Sequence, residues 1–424
     1  MQAAKLRELR AIFRRAGLAC LLAALAGLPH GSASAMPAHK LAAIAPATRP
    51  APPLAVAPDA DALLIGLYQD LGANRLRSAL AKADMLIAAY PNFHLAHLIR
   101  GDLLLMHTQP VQALGAVQGA PSERLQNLRH EAQARMLALR QRPDPKLVPA
   151  ALLQLRPDQR VAYVVDTRRS RLYVYENRNG YPHFLTDYYI SQGKLGINKL
   201  REGDQKTPVG VYYVTKLLQG KKLPDFYGSG ALPISYPNEW DRLHGRSGSG
   251  IWLHGTPPDS FSRPPLSSDG CVVLTNPDLL RLVQSAEIGV TPVVITDDVR
   301  FVSRDKLDRD RALAKGLTDH WRRDFAGRDP QRLRAHYSRN FKAEQGNLDA
   351  LLERQQKWLS AVRNASLTVR DVSYFRYPGT SELLVATFTQ DAAKDGRPVQ
   401  SQRMRQYWAH EGTQWRIVSE TSWQ

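Results

Sequence analysis

The hydrophobic period changes twice along this chain of 424 residues, and each change marks a separate folded part. From Asp59 to about Arg142 the period is helical: Ala79, Leu80, Ala83, Leu86, Ile87 and Tyr90 fall on one face at spacings of one, three and four. Pro91 and Asn92 end that helix, Phe93–Met106 opens another, and Leu125, Leu128, Ala132, Met136 and Leu139 mark one more. Past Pro143, Pro145, Pro149 and Pro157, which read as a seam, the period drops to two. Val161–Thr167, Arg171–Asn177, His183–Ser191, Val209–Leu218, Ile251–Thr256, Cys271–Thr275 and Thr291–Thr296 read as strands; Pro277–Ala286, capped by Asn276, reads as a helix. Many strands with few helices require a β-sandwich or barrel-like core. From about Arg309 the helical period returns, with Leu313, Leu317, Trp321 and Phe325 on one face and Leu348, Leu351, Leu352 and Trp358 on another. Four strand-like runs then follow, which predicts an α+β unit. The expected chain is multidomain: helices at 59–142, a mostly-β domain at 159–297 and an α+β domain at 309–424.

Hydrophobic residues make up 43% of the chain and charged residues 23%, which excludes a wholly disordered, collagen-like or polytopic membrane protein. Residues 1–35 read as a signal peptide. Lys5, Arg7, Arg10, Arg14 and Arg15 precede the apolar stretch Ala16–Leu28, which is short for a permanent span, and Ala33-Ser34-Ala35 supplies small side chains for cleavage after Ala35. Lipid attachment at Cys20 would want Leu three residues earlier, where Gly17 stands. Residues 36–58 carry six prolines among Ala and Val and read as an extended tether. The chain is therefore expected in the periplasm or cell envelope, with no membrane span once the signal is removed. Its formal charge of +18, about +14 without residues 1–35, suits a polyanionic envelope surface. No dense basic run interleaved with aromatics occurs, so nucleic acid is not an expected partner.

Cleavage would leave Cys271 as a lone thiol in an oxidising compartment. A buried cysteine acting as a small apolar side chain is the plain alternative; the neighbouring residues argue for chemistry. Cys271 follows Gly270 at the start of a strand, and His254 ends another strand 17 positions earlier. The Pro-rich loop Thr256–Leu266 between them is expected to be mobile. A free thiol is only a few per cent ionised at neutral pH, and an imidazole within reach can take its proton. Gly270 gives the backbone room to approach a reacting carbonyl, where amides can hold the developing oxyanion. The imidazole must also be fixed through its other nitrogen; no Asp or Asn suggests itself, and a main-chain carbonyl can do this. His244 lies in a Gly/Ser/Arg-rich stretch that suits a flexible rim. Arg242, Arg246 and Arg263 flank the expected cleft, either to meet carboxylates or as solvated loop charges. His94 and His97 lack a second ligand pair, so no metal is expected, and no cofactor.

Residues 160–297 resemble the L,D-transpeptidase (YkuD-type) catalytic domain of bacterial cell-wall enzymes. The signature of a His, about fifteen residues and Ser/Thr-x-Gly-Cys is matched by His254 and Ser268-Asp269-Gly270-Cys271, and the upstream Thr-Pro-x-Gly by Thr207-Pro208-Val209-Gly210. The resemblance implies Cys271 as nucleophile and His254 as base. It implies that the Gly255 carbonyl orients the imidazole and that amides near Gly270 and Cys271 form the oxyanion site. Ser268, Asp269, Arg246 and Arg263 are placed on the substrate side. Two positions depart from many members: Asp269 stands where they have His, and Val273 where they have Arg, which bears on acceptor choice. The segment Ala79–Leu104 resembles a tetratricopeptide-type hairpin. The last 115 or so residues resemble the nuclear-transport-factor-2-like (NTF2-like) fold, here expected to bind glycan or protein, with no acid–base set of its own. The three-part layout is similar to the helical-shape L,D-carboxypeptidase subset. The implied substrate is the peptidoglycan stem peptide. Acyl transfer to an amine, hydrolysis of tetrapeptide to tripeptide stems, and an inactive envelope scaffold stand as the readings.

Overall fold

The computed structural model describes residues 58–423 apart from 112, 116–121, 363–364, 380–381 and 395–396; the expected signal peptide, and the tether up to residue 57, lie outside them. The N-terminal layer consists of helices Ala60–Gly72, Leu76–Ala89, His94–Leu105 and Ser122–Arg140. Leu64, Leu67, Leu86, Phe93, Leu95 and Ile99 are buried together, and the small Ala79 and Ala83 let the helices approach closely. The helix Ser122–Arg140 keeps Leu128 and Ala132 of its expected apolar stripe at the core but also buries charge. Its buried positions are Glu131, Ala132 and Arg135, because this face meets the β domain through charge. Arg135 pairs with Glu131 at 2.9 Å and Asp61 at 2.5 Å, and lies 3.9 Å over the Tyr189 ring.

The middle domain is built on two sheets. One has five strands in the order Tyr181–Tyr189, Arg171–Arg178, Val161–Asp166, Pro292–Thr296, Gly210–Tyr213; the other has four, Val272–Val273, Trp252–His254, Gly230–Pro233, Leu218–Gln219. Tyr163, Val165, Leu172, Tyr212, Leu232, Leu253, Val272, Val293 and Ile295 fill the core between them with helix Asn276–Ser285. The expected single strand Val209–Leu218 is broken, since the chain leaves the first sheet after Tyr213 and enters the second at Leu218. Strand Gly230–Pro233 has too few alternating apolar positions to be read from the sequence.

The Pro-rich seam is not a free linker. Val148–Pro149 pairs with Phe301–Val302, and Leu152–Gln154 forms the edge of the C-terminal sheet against Ser366–Arg376. Edge strands tolerate proline because one side of the ladder needs no donor.

The C-terminal domain has helices Arg304–Gly327, Pro330–Arg334 and Leu348–Ala361 packed on antiparallel strands Ser366–Arg376, Leu383–Lys394, Arg397–Glu411 and Gln414–Trp423. The buried stripe of its long helix is Leu307, Ala314, Thr318, Trp321 and Phe325; Leu313 points to solvent instead. The domain also hides a polar cluster that its sequence did not announce. Glu420 accepts from Tyr337 Oη at 3.0 Å, Gln355 Nε2 at 2.6 Å and Gln406 Nε2 at 2.8 Å, and burial pushes its carboxyl up to about 7. Arg405 joins this domain to the middle one through Glu239 at 2.9 Å, beside Trp240 stacked on Tyr407. Among the described residues no helix is long and apolar enough to cross a membrane.

Candidate active site

Strand alternation brings the two expected residues together. Ile251, Leu253, Val272 and Leu274 turn into the core, so Trp252, His254, Cys271 and Val273 share the opposite face. The two strands are parallel, with Leu253 beside Val272 and His254 beside Val273. Carrying that register back one residue sets Cys271 beside Trp252, diagonal to His254 on the same face. Ser191 closes the far edge through paired backbone bonds with Val273 at 2.8 and 2.9 Å.

His254 is 0% exposed, and its Nδ1 lies 2.7 Å from the Gly255 carbonyl. A carbonyl only accepts, so Nδ1 carries the proton and Nε2 presents a bare lone pair. That Nε2 is buried with no hydrogen-bond partner among the described residues. Burial, helped by the Arg263 charge and opposed by the Gly255 bond, pushes the imidazole down to about 4. Tyr227 meets the ring edge-on at 5.1 Å and Phe226 lies at 5.7 Å.

The Cys271 thiol is half-buried, with Sγ 3.4 Å from the Gly250 carbonyl. Burial pushes it up to about 11 and Asp269 adds to this, against the Trp252 amide at the sulfur and the charges of Lys199 and Arg263. Both directions favour a neutral thiol beside a neutral imidazole at rest, not a preformed ion pair. Alkylation of Cys271 by iodoacetamide should therefore accelerate about tenfold per pH unit through neutral pH and level off only near 11. A plateau already reached by pH 6 would mean a resting thiolate–imidazolium pair.

The loop before Cys271 is fixed from beneath. Gly270 adopts φ +127°, where an added Cβ would lie 2.7 Å from the Lys206 carbonyl oxygen. The Thr207 hydroxyl donates to the Gly270 carbonyl at 3.0 Å and accepts the Gly193 amide at 3.0 Å. The Thr-Pro-x-Gly turn is thus a clamp on the cysteine loop. Ser268, expected on the substrate side, is 1% exposed; its hydroxyl donates to the Cys271 carbonyl at 2.6 Å and accepts the Gly270 amide at 3.1 Å. It shapes the loop, and it occupies one of the two amides expected to face the oxyanion.

The arginines separate sharply. Arg246 turns away to the fully buried Asp241 at 2.9 Å, a carboxylate inside the helix Glu239–Leu243 cap that requires a counter-charge. Arg242 pairs with Glu344 and the Pro237 carbonyl. Both are held by partners within the fold, and exposed Arg242 fits the reading of a loop charge. Arg263 alone of the three acts on both His254 and Cys271. Asp269 is exposed at the rim, 3.1 Å from both Lys194 Nζ and Gln205 Nε2. His244 is exposed and packs on Trp240, and His97 Nε2 lies 2.8 Å from the Pro91 carbonyl.

Three contributors escaped the sequence reading. Phe226 and Tyr227 come from a single 3-10 turn, Asp225–Tyr227; burial holds the Tyr227 phenol above its usual range, and Cys271 adds to this once it ionises. Asn276 does not cap its helix, which Thr275 does. Instead its Oδ1 accepts the Ser229 amide at 2.8 Å and its Nδ2 donates to the Thr256 carbonyl at 2.8 Å, tying the aromatic turn to the His254 strand. The aromatic pair among Pro224, Gly228 and Gly230 was the available signal.

The loop Thr256–Leu266, expected to be mobile, is pinned by the helical layer. Phe261 is buried between Tyr90 and Phe93 at ring distances of 4.5 Å each. Its amide donates to the Asn92 carbonyl at 3.2 Å, and the Ser262 hydroxyl donates to Glu131 at 2.6 Å. The apolar residue in this Pro-rich segment completes another domain's core.

Comparisons with known proteins bear on the domains that carry this site. Residues 160–295 match the family model of the YkuD L,D-transpeptidase catalytic domain, and residues 313–421 that of the Cds6 C-terminal NTF2-like domain. The chain is 29% identical over 125 residues to the putative L,D-transpeptidase YafK of Escherichia coli K12, covering 27% of this chain and 46% of that protein. It thus spans about half the length of the curated relatives it matches. Bd1075 of Bdellovibrio bacteriovorus superposes with a TM-score of 0.56 at 27% identity, over 65% of this chain and 98% of that one. The helical cell shape determining protein Pgp2 of Campylobacter jejuni superposes with a TM-score of 0.54 at 21% identity, over 64% and 95%, and shares the fold.

Proposed function

We infer that this chain, which carries a YkuD-type L,D-transpeptidase catalytic domain followed by an NTF2-like domain, performs cysteine-dependent acyl transfer on peptidoglycan stem peptides in the cell envelope. The observation that carries this reading is the shared strand face of Cys271 and the bare Nε2 of His254.

The neutral pair fits a mechanism in which proton transfer accompanies attack. The thiol proton moves to His254 Nε2 as sulfur bonds to the carbonyl carbon of an L-to-D peptide bond. The Gly255 carbonyl then faces an imidazolium and stabilises it through Nδ1–H. The C–N bond breaks, the leaving amine takes the proton from Nε2, and a thioester remains on Cys271. An incoming amine or water gives its proton to the same nitrogen, attacks the thioester and restores the thiol. An amine yields a crosslink; water yields a tripeptide stem.

Incubation with muropeptides and measurement of product masses separates the outcomes. Crosslinked dimers mean transpeptidation and tripeptides mean carboxypeptidation; a mass adduct at Cys271 with a carbapenem supports an active thiol in either case. An accessible thiol that forms no adduct, with no new masses, would leave the chain as a scaffold.

A further inference from the structure

Arg263 has one donor that the protein leaves unused. Its Nη2 donates to the Ser267 carbonyl at 2.6 Å and its guanidinium lies 5.0 Å over the Phe226 ring, whereas Nη1 is buried with no partner among the described residues. A buried guanidinium N–H without an acceptor is costly and is rarely kept without a use. The exposed carboxylate of Asp269 acts on this charge through space, but its hydrogen bonds go to Lys194 and Gln205. Lys199, the other buried cation acting on Cys271, is satisfied by Asp204 at 2.7 Å and the Arg201 carbonyl at 3.0 Å. Arg263 therefore brings a positive charge with an open donor to the wall shared by the thiol and the imidazole.

The backbone that holds it is unusually constrained for a loop. The Arg263 carbonyl accepts from Tyr189 Oη at 2.9 Å and from Ser191 Oγ at 2.8 Å. One residue earlier Ser262 is tied to Glu131, and Phe261 is locked into the helical layer. The guanidinium is thus positioned jointly by the β domain and the N-terminal helices.

We propose that Arg263 binds the free α-carboxylate of the stem peptide's terminal residue, so that only the last residue is released, and that the helical layer is the element that holds it in place. The inference rests on the acyl-transfer reading for its substrate. A planar guanidinium with an open N–H suits a carboxylate, and a terminal carboxylate lies one residue beyond the scissile carbonyl. A stem lacking that carboxylate leaves the donor unanswered.

The test uses the full chain with Cys271→Ala, so that binding is read without turnover. Calorimetry compares a stem tetrapeptide ending in a free carboxylate with the same peptide as its carboxamide. Adding Arg263→Ala should weaken the acid roughly 10- to 100-fold and the amide less than about threefold, with Arg263→Lys in between. Ser262→Ala, which releases the Glu131 tie, should weaken the acid alone by a few-fold. Equal losses for acid and amide, or none, overturn the proposal. Discrimination in the Cys271→Ala background, together with a wild-type chain that turns nothing over, would sink the acyl-transfer reading and leave only carboxylate binding by Arg263 standing. Turnover of acid and amide alike by wild type and Arg263→Ala would do the reverse.

Discussion

Cys271→Ala is expected to stop turnover of stem tetrapeptides, by at least about 10⁴-fold, while leaving the fold intact. The thiol is half-buried at a strand start and touches the Gly250 carbonyl and the Trp252 amide, so its removal creates little cavity. His254→Ala should cost about 10²- to 10⁴-fold, because a thiol held near 11 then has no acceptor for its proton at neutral pH. Combining the two changes should add little, since nucleophile and base act as one unit. Product masses over time, with circular dichroism melts as the control for folding, give the answer. A Cys271→Ala chain that keeps even a few per cent of wild-type turnover would remove sulfur from the mechanism.

What could be read from the sequence was whatever a period or a short motif encodes. Ile251 to His254 and Cys271 to Leu274 are short apolar runs that read as strands, and two neighbouring strands can bring His254 and Cys271 together at their ends. The Gly255 carbonyl as imidazole partner came from the family resemblance; the residues alone pointed only to some main-chain carbonyl. Side-chain commitments over long separations were not available. Arg242, Arg246 and Arg263 look alike in a loop-rich stretch, and only the fold shows that Asp241 captures Arg246 and Glu344 draws Arg242. Phe261 looked like part of a mobile loop because its partners, Tyr90 and Phe93, lie more than 160 positions earlier. Most expected helix faces are buried, and two depart locally. Leu313 fits an apolar stripe by spacing, yet the helix is rotated so that Ala314 and Thr318 face the sheet, a choice made by tertiary packing. The helix Ser122–Arg140 buries Glu131 and Arg135, a pattern that an apolar-moment argument reads as the solvent side.

Gly270→Ala should disable the site with the nucleophile and base both still present. At φ +127° an L side chain is strained by about 1–3 kcal/mol before any contact is counted. The new Cβ would then meet the Lys206 carbonyl oxygen at 2.7 Å and Ile251 Cδ1 at 3.1 Å. Ile251 can shift its side chain, but Lys206 cannot easily withdraw. Its amide is held by Asp204, which also takes the Leu200 and Arg201 amides and Lys199 Nζ. Thr207 is tied to both Gly270 and Gly193. The strain must therefore pass along the chain into Cys271, and a displacement of about 1 Å there is worth roughly 10²-fold in rate. The expected result is a loss of that size in kcat, a lower melting temperature, and a thiol that still reacts with iodoacetamide. Gly203→Ala is the matched control. Gly203 has φ +75° with nothing within 4 Å of the added Cβ, so it isolates backbone strain from the clash and should leave kcat within about twofold. If both substitutions were equally harmless, the cysteine loop would not be held by its contact with Lys206, and the clamp assigned to the Thr207 turn would have no catalytic consequence.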